Sequence, residues 1–545
     1  MTAETRPRAF VRPPRMTDHE ALMWTVEKDP WLNASGASLT ILDRPVDPDR
    51  FRRTMRAAVA AMPRLYERVV PGLGRISTPA WAPDPEFDFD YHVTEMELPA
   101  PGDERALLDL AARLYEEPLD RTRPLWRFVA ISGLDGGSGA IYSMVHHVIA
   151  DGIGQVRMAE LYQSIERDAE APAEIDLEAI VAEAAASVSA KEAGGPGADG
   201  ILSTTRHTAT HVARRQFGIL RRSAGEVALW GADPKRMLDR VGAASSLVTD
   251  AVRQIVPSSD DDATGSTLWR ERSRHRHLEW VAVDLADLKA AAGAAGVSIN
   301  DALLAGLAEA GWRYHRDLGA PVQNFNSSFV LSTRTDNHAG GNSFTPVPIL
   351  LPGGHLPLGE RMRAINERTG RARADASNSG GIGGLSGLLN QLPTSMITRT
   401  ARAAAAKIDF ATSNLRGAPF QLYCAGAKVE ATICMGPVAG TGANITAMSY
   451  DGTLNIGIFL DPAAITEPGR FRDAVDAAFT DMIGELAPTP KKASATKKKA
   501  PTKKKAPTAK KSPAKKTASA KKTTAKKSTT KKTTATKRTA KKGTS

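Results

Sequence analysis

The stretch SMVHHVIADGIGQ, Ser143 to Gln155, sets His146 and His147 side by side with Asp151 and Gly152 following as an Asp-Gly pair. An imidazole ordinarily titrates near neutrality, so it can take a proton and give it back, and either histidine is a candidate general base. Two other readings compete: a metal site with Asp151 as an oxygen ligand, and core histidines satisfied by hydrogen bonds. Adjacent residues of an extended chain point to opposite faces, so only one of the pair can look into a given cavity. That divergence weakens the metal reading.

The surrounding pattern predicts what carries these groups. Two apolar runs, PLWRFVAISGL and AIYSMVHH, flank the Gly-rich DGGSG of Asp135 to Gly139 and read as a hairpin, with the motif at the exit of its second strand. After Gly152, Met158, Leu161, Tyr162 and Ile165 recur at helical spacing, which predicts a helix with one buried face. FRRTMRAAVAAM reads as a helix, as does VSINDALLAGLAEAGWRYH, where Ser298 and Asp301 have capping-box spacing. FQLYCAGAKVEATICMGPVAG and ANITAMSYDGTLNIGIFLD have strand character, with a hairpin turn at Tyr450 to Thr453.

Residues 166–200 turn to Ala, Glu, Gly and Pro and read as a linker, partly helical. The segment HTATHVARRQFGILRRSAGEVALWG then carries an apolar stripe flanked by Arg214, Arg215, Arg221 and Arg222. It suits either an anionic lipid surface or a crossover helix packed on its own domain.

The 545 residues are too many for one ordinary core, and the net charge of +12 is misleading. Lys491 to Ser545 hold 21 Lys, one Arg and no acidic residue, which leaves 50 basic residues against all 60 acidic ones in the rest of the chain. That segment has almost nothing large and apolar to offset its chain entropy, so disorder is expected, as it is for the Pro/Arg-rich residues 1–15. Cys424 and Cys434 show neither a CxxC pattern nor nearby ligand histidines, which points to buried thiols rather than a disulfide framework or a zinc site. No apolar run approaches the roughly 20 residues of a bilayer span, so a soluble or peripheral protein is expected.

The spacing HHxxxDG resembles the signature of the CoA-dependent acyltransferase superfamily, which includes chloramphenicol acetyltransferase and peptide-synthetase condensation domains. Pro124-Leu125-Trp126, Asn300-Asp301 in NDALLAG, Gly341-Asn342, SNLRGAP and GPVAGTGANITAMSYDG narrow it. In that order they are similar to the bacterial wax ester synthase/diacylglycerol acyltransferase family, and MTDHEALMWTVEKDPW resembles its actinobacterial members. The resemblance spans roughly Met16 to Leu486.

It implies an α+β fold of two chloramphenicol-acetyltransferase-like domains with the active site at their interface. The expected division is an N-terminal extension at 1–15, an N-terminal domain at 16–180, linker and amphipathic helices at 181–267, a C-terminal domain at 268–487, and the basic tail at 488–545. It further implies His147 as the base, His146 as its support, Asp151 as a structural carboxylate with an arginine partner, and Gly152 as the turn. Arg127 and Arg334 are both candidates for that arginine. Asn300 and Asp301 are implied in substrate binding, although Asn-Asp beside a capping serine is also ordinary helix-start chemistry. Pro124, Leu125 and Trp126 are implied to shape the substrate cavity, though such residues are more often core. TPVPILLPGG and the strands after Phe420 are candidates to line an acyl tunnel.

The implied reaction moves a fatty acyl group from acyl-CoA to diacylglycerol, with long-chain alcohols as further acceptors, and uses no cofactor beyond acyl-CoA as substrate. An alcohol must lose its proton as it attacks a thioester, and a neutral imidazole in reach can take that proton and return it to the departing thiolate. There is no GxSxG elbow to suggest an acyl-enzyme. Transfer to another acceptor, such as a polyketide-derived diol, and a non-catalytic lipid-droplet or nucleoid role are the alternatives.

The tail at residues 491–545 is an addition to the family pattern and suits nonspecific nucleic acid, an anionic membrane or lipid-droplet surface, or solubilisation alone. The expected location is the cytoplasm, peripheral on the inner membrane face or on lipid droplets. Deleting Lys491 to Ser545 is expected to leave turnover of soluble short-chain substrates within about twofold while weakening binding to DNA or anionic vesicles at low salt. Vesicle and DNA co-sedimentation, with and without the deletion, measures this.

Overall fold

The hairpin that carries the two histidines forms as its sequence pattern predicts. The computed structural model describes residues 15–72, 77–193, 265–332, 344–378, 386, 389–390 and 392–486. The tail, the arginine-rich segment at 207–231, Arg334 and Gly341-Asn342 lie outside these.

In the first half the elements run α1 (Asp18–Val26), β1 (Ser35–Leu42), α2 (Pro48–Ala61), β2 (Glu67–Val70), β3 (Ala80–Pro83), α3 (Phe89–His92), β4 (Val93–Glu97), α4 (Glu104–Glu116), β5 (Trp126–Ser132), β6 (Gly139–His146), α5 (Gly152–Ala159) and α6 (Leu177–Ala193). The second half comprises β7 (His277–Asp284), α7 (Leu285–Ala295), α8 (Ile299–Asp317), β8 (Asn324–Ser332), β9 (Phe344–Pro352), α9 (Leu358–Asn378), α10 (Thr394–Ala405), β10 (Phe410–Arg416), β11 (Tyr423–Cys424), β12 (Ala427–Met435), β13 (Ala443–Tyr450), β14 (Thr453–Leu460) and α11 (Pro468–Leu486). Helices and strands are interspersed through the described residues, the mixed plan that the sequence predicts.

Two six-stranded sheets organise them, in the orders β11-β12-β1-β6-β5-β4 and β7-β14-β13-β10-β8-β9. The first contains a departure from the linear division of the sequence. The expected C-terminal domain runs over residues 268–487, yet β11 and β12 pair into the first sheet. Antiparallel pairing from Ala37 with Met435 to Leu42 with Val429 covers the edge that β1 would otherwise expose. No local pattern announces which sheet a strand joins.

All eight residues of β6 are buried, because it lies between β1 and β5 and both its faces are covered. One face packs with Phe51 and Met55 of α2 and Val181 of α6. The other packs with Leu107, Leu108 and Ala111 of α4, and this cluster also takes in Leu278 of β7 and Phe459 of β14. The second half has its own core, in which Leu303, Leu304 and Leu307 of α8 meet Phe471, Val475 and Phe479 of α11. Val347, Ile349 and Leu351 of TPVPILLPGG also point into it, so that face of the segment is core rather than tunnel lining.

The helix predicted after Gly152 is shorter than its apolar spacing suggests. It stops at Ala159 because Ser164 exchanges two backbone hydrogen bonds of 2.8 Å with Tyr423, which draws the chain out straight. Met158 remains buried, while Ile165 is 66% exposed. The Tyr450 to Thr453 turn is a two-residue hairpin with positive φ at Asp451 (42°) and Gly452 (85°). Cys424 and Cys434 are buried free thiols. No single described helix is long and apolar enough to cross a membrane.

The sheets are in close contact at Gly457 of β14, where a Cβ would lie 2.2 Å from the carbonyl oxygen of Cys434 on β12. Gly457→Ala is therefore expected to destabilise the fold by about 1–3 kcal/mol. Gly293→Ala, in a helix interior with nothing within 4 Å of the added carbon, should stabilise by about 0.5–1 kcal/mol. Urea unfolding midpoints of the two variants test both signs.

Candidate active site

His146 and His147 stand at the end of β6 and, as strand alternation requires, have different surroundings. His146 is 1% exposed. Its Nδ1 accepts the Val148 N–H at 3.0 Å, so its proton is on Nε2, which donates to Oε2 of Glu27 at 2.5 Å. The ring also sits edge-on to Trp24, at 6.1 Å between centroids.

Glu27, at the end of α1, is itself built in. Its Oε1 accepts the Ala34 N–H at 3.1 Å and Oε2 lies 3.3 Å from Nη1 of Arg121. The Arg121 guanidinium lies 3.5 Å over the Trp24 ring and donates to the Trp24 carbonyl. Burial would raise the Glu27 pKa, but the hydrogen bonds from His146 and the Ala34 N–H, together with the Arg121 charge, outweigh it and hold the carboxyl below its usual range.

His147 is fixed through its backbone, its N–H donating to the Ala34 carbonyl at 3.1 Å. From Gly139 to Asp151 it is the one residue that keeps partial exposure. Burial of the ring pushes its pKa down to about 4; His146 and His19 act in the same direction, and the carboxylates of Asp151 and Glu27 oppose them. The imidazole is therefore neutral at physiological pH and can accept a proton. Its Nε2 looks toward Gly36 of β1, where a Cβ would be only 3.3 Å away.

Asp151 is the N-cap of α5, its Oδ1 accepting the Gly154 N–H at 2.8 Å. Of the two arginines proposed for it, Arg127 is engaged elsewhere, with Glu117 at 2.9 Å and the Leu114 carbonyl. Arg334 lies outside the described residues. Gly152 permits close approach of the second half: a Cβ there would lie 2.9 Å from Cδ2 of Leu415 on β10. The motif thus sits where the two halves meet. Parallel pairing of β8 with β10 ends at Phe329 and Thr412, although the strands continue to Ser332 and Arg416. The sheet parts on the side of β10 where Leu415 touches the motif.

The remaining predicted site residues have other duties. Asp301 is fully buried and accepts from Ser298 N–H (3.1 Å), Ser298 Oγ (2.6 Å), Asn366 (2.9 Å) and Thr369 (2.7 Å). With both oxygens committed it caps α8 and ties it to α9, rather than binding substrate. Asn300, beside it, is partly exposed. Leu125 and Trp126 are also wholly buried. The Leu125 carbonyl accepts the His146 N–H at 3.0 Å, and the Trp126 indole donates to the Leu65 carbonyl at 2.6 Å. They hold β5 against β6 instead of lining a cavity, and Pro124, just before them, is buried as well. Among the described residues no group of three His, Cys, Asp or Glu side chains could hold a metal ion.

Sequence reasoning did not single out Trp24, Glu27, Gly36, Arg121 and Gln155. A glycine inside the strand run SGASLTIL was the one available signal for Gly36; the others acquire meaning only through contacts distant in sequence.

Two mixed sheets joined by an exchanged strand, with a neutral histidine at the seam, define the architecture of a two-domain acyltransferase. The solved wax ester synthase/diacylglycerol acyltransferase of Marinobacter aquaeolei VT8 shares this fold, with a TM-score of 0.56 and 18% identity over 86% of this chain and 98% of that one. The wax ester synthase/diacylglycerol acyltransferase catalytic domain matches residues 16–303 and the corresponding C-terminal domain matches 340–483, so the chain belongs to this family of acyltransferases. Two Mycobacterium tuberculosis proteins named as candidate diacylglycerol O-acyltransferases are 30% identical over 490 residues (89% of this chain, 95% of theirs) and 27% identical over 476 residues (83% and 94%).

Removing the carboxylate beneath His146 leaves a buried N–H without its acceptor and a half-buried guanidinium without its counter-charge. Glu27→Ala is expected to cost about 3–5 kcal/mol of stability and to lower kcat with little change in the KM for acyl-CoA. Urea unfolding and steady-state kinetics on the folded fraction check this.

Proposed function

We propose that the chain catalyses direct transfer of a fatty acyl group from acyl-CoA to the free hydroxyl of diacylglycerol, with long-chain alcohols as further acceptors. The observation that carries this reading is the neutral, partly accessible His147, held by its backbone at the junction of the two halves. His147 takes the proton of the acceptor hydroxyl as its oxygen attacks the thioester carbonyl, then passes that proton to the leaving thiolate. Asp151 and the Glu27–His146 pair act on the chemistry only by holding the loop. The parted strands β8 and β10 support an entry for the acyl chain beside Leu415.

A lipid acceptor has to be collected from a lipid phase. We place the enzyme peripherally on the cytoplasmic face of the membrane or on lipid droplets, with the 22 positive charges from Lys491 onward as the attachment to anionic headgroups. Each basic residue near such a surface contributes about 1 kcal/mol.

Labelled palmitoyl-CoA offered with dioleoylglycerol, hexadecanol and other alcohols tests the activity. CoA release is expected to require both acceptor and His147, with His147→Ala reduced at least about 100-fold; acceptor-dependent turnover surviving in His147→Ala would sink the assignment. Because the base must be unprotonated and its pKa is depressed, kcat/KM should stay level from pH 8 down to about pH 5 and fall through about pH 4. An ordinary imidazole would place that fall near 6.5.

A further inference from the structure

A cavity of about 310 Å³ lies against α1, a volume at the low end for small-ligand pockets. Its walls come from both halves of the chain: Trp24, Thr25 and Lys28 from α1 and the turn after it, Ser77 and Thr78 from the segment before β3, and Asn390 and Thr394 from the second half. Three of these polar side chains are themselves withdrawn from solvent, Ser77 and Thr78 at 3% exposure and Asn390 at 4%. Contacts around the cavity fix its walls. Nδ2 of Asn390 donates to the Asp18 carbonyl at 2.7 Å, and the Met16 N–H donates to the Pro79 carbonyl at 2.9 Å. Gly72 is pressed so closely on Ser77 that a Cβ would lie 2.4 Å from its carbonyl oxygen.

The charge around this space has one sign. None of the described residues that line it is acidic, and the Lys28 ammonium makes no ion pair among the described residues. The same holds for Arg15, whose Nη1 donates to the Thr78 carbonyl at 3.0 Å. A third cation, the Arg121 guanidinium, lies 3.5 Å over the Trp24 ring, where Glu27 partly offsets it. The Trp24 indole N–H and the Thr25 hydroxyl also have no hydrogen-bond partner among the described residues. An ammonium, an indole N–H and hydroxyl groups around one small space, with no carboxylate among them, suit an anion that offers several oxygens at once, as a phosphate group does.

We propose that this cavity is a phosphate site: Lys28 and Thr25 of the α1 wall take phosphate oxygens at the nucleotide end of acyl-CoA. This rests on acyl-CoA as the acyl donor. The Trp24 ring belongs both to the cavity and to the histidine pair, since it meets His146 edge-on at 6.1 Å between centroids. CoA carries its phosphates and its sulfur at opposite ends of a flexible arm, so anchoring the phosphates beside that ring leaves the thioester free to reach His147 past it. Binding of this kind is made equally in the ground state and the transition state, and therefore acts on KM rather than kcat.

The test uses the full chain and compares Lys28→Gln, Lys28→Arg, Thr25→Val and His147→Ala with the wild type. Calorimetric titration with CoA measures binding without turnover, and steady-state kinetics compare palmitoyl-CoA with palmitoyl-pantetheine, the same thioester without the phosphates. Lys28→Gln is expected to weaken CoA about 10-fold and Thr25→Val about threefold. Lys28→Gln should raise the KM for palmitoyl-CoA in proportion, with kcat and the KM for palmitoyl-pantetheine unchanged, and Lys28→Arg should restore most of the affinity. Wild-type CoA affinity in Lys28→Gln overturns the proposal, and so does an equal rise in KM for both thioesters, which marks a disturbed fold instead of a lost phosphate contact. Unchanged CoA affinity together with weaker binding of Lys28→Gln to phosphatidic acid vesicles would give the cavity to a lipid headgroup and overturn its assignment to CoA. His147→Ala should bind CoA as tightly as the wild type, so loss of the base and loss of the phosphate site are told apart.

Discussion

The site depends on the short hydrogen bond between His146 and the buried carboxylate of Glu27. Glu27 sits at the end of the first helix and binds, through its other oxygen, the N–H of Ala34, whose carbonyl in turn holds the backbone of His147. One carboxylate therefore sets the orientation of the supporting histidine and the position of the reactive one. A buried carboxylate is costly unless several donors satisfy it, and Arg121, His146 and Ala34 are those donors. The two histidines share a motif but divide the work: one is locked as a tautomer, the other is kept neutral and partly open.

Electrostatics and backbone geometry reinforce each other around His147. The low pKa follows from burial, yet His147 keeps partial exposure. Desolvation makes the uncharged form dominant, and the remaining exposure leaves the residue within reach. Asp151 contributes through helix capping rather than through charge on the ring, where it opposes the dominant desolvation.

Much of this was readable from residue patterns. The β5–β6 hairpin, the Ser298 cap with Asp301, the Tyr450 to Thr453 turn and the divergence of the two histidines follow from alternation, turn residues and cap spacing, all of which are local. What local patterns cannot carry is pairing between segments far apart. The reach of Tyr423 to Ser164, which cut short the helix after Gly152, and the entry of β12 into the first sheet are such pairings. So is the commitment of Arg127 to Glu117 rather than Asp151. Asp301 illustrates a different limit: its spacing predicted a cap, family resemblance suggested contact with substrate, and only its four donors decide for the cap.

The strand exchange also bears on how the chain matures. Ser38 acquires its outer partner, Cys434, only after nearly all of the folded chain has left the ribosome. Until then β1 presents an open backbone edge, and the floor beneath the reactive imidazole lacks one of its neighbours. The amino-terminal half therefore cannot settle ahead of the rest, and long-range pairing of this kind slows assembly and exposes nascent chains to association. An enzyme organised this way has its reactive centre completed at the last stage of folding, when both halves are already present.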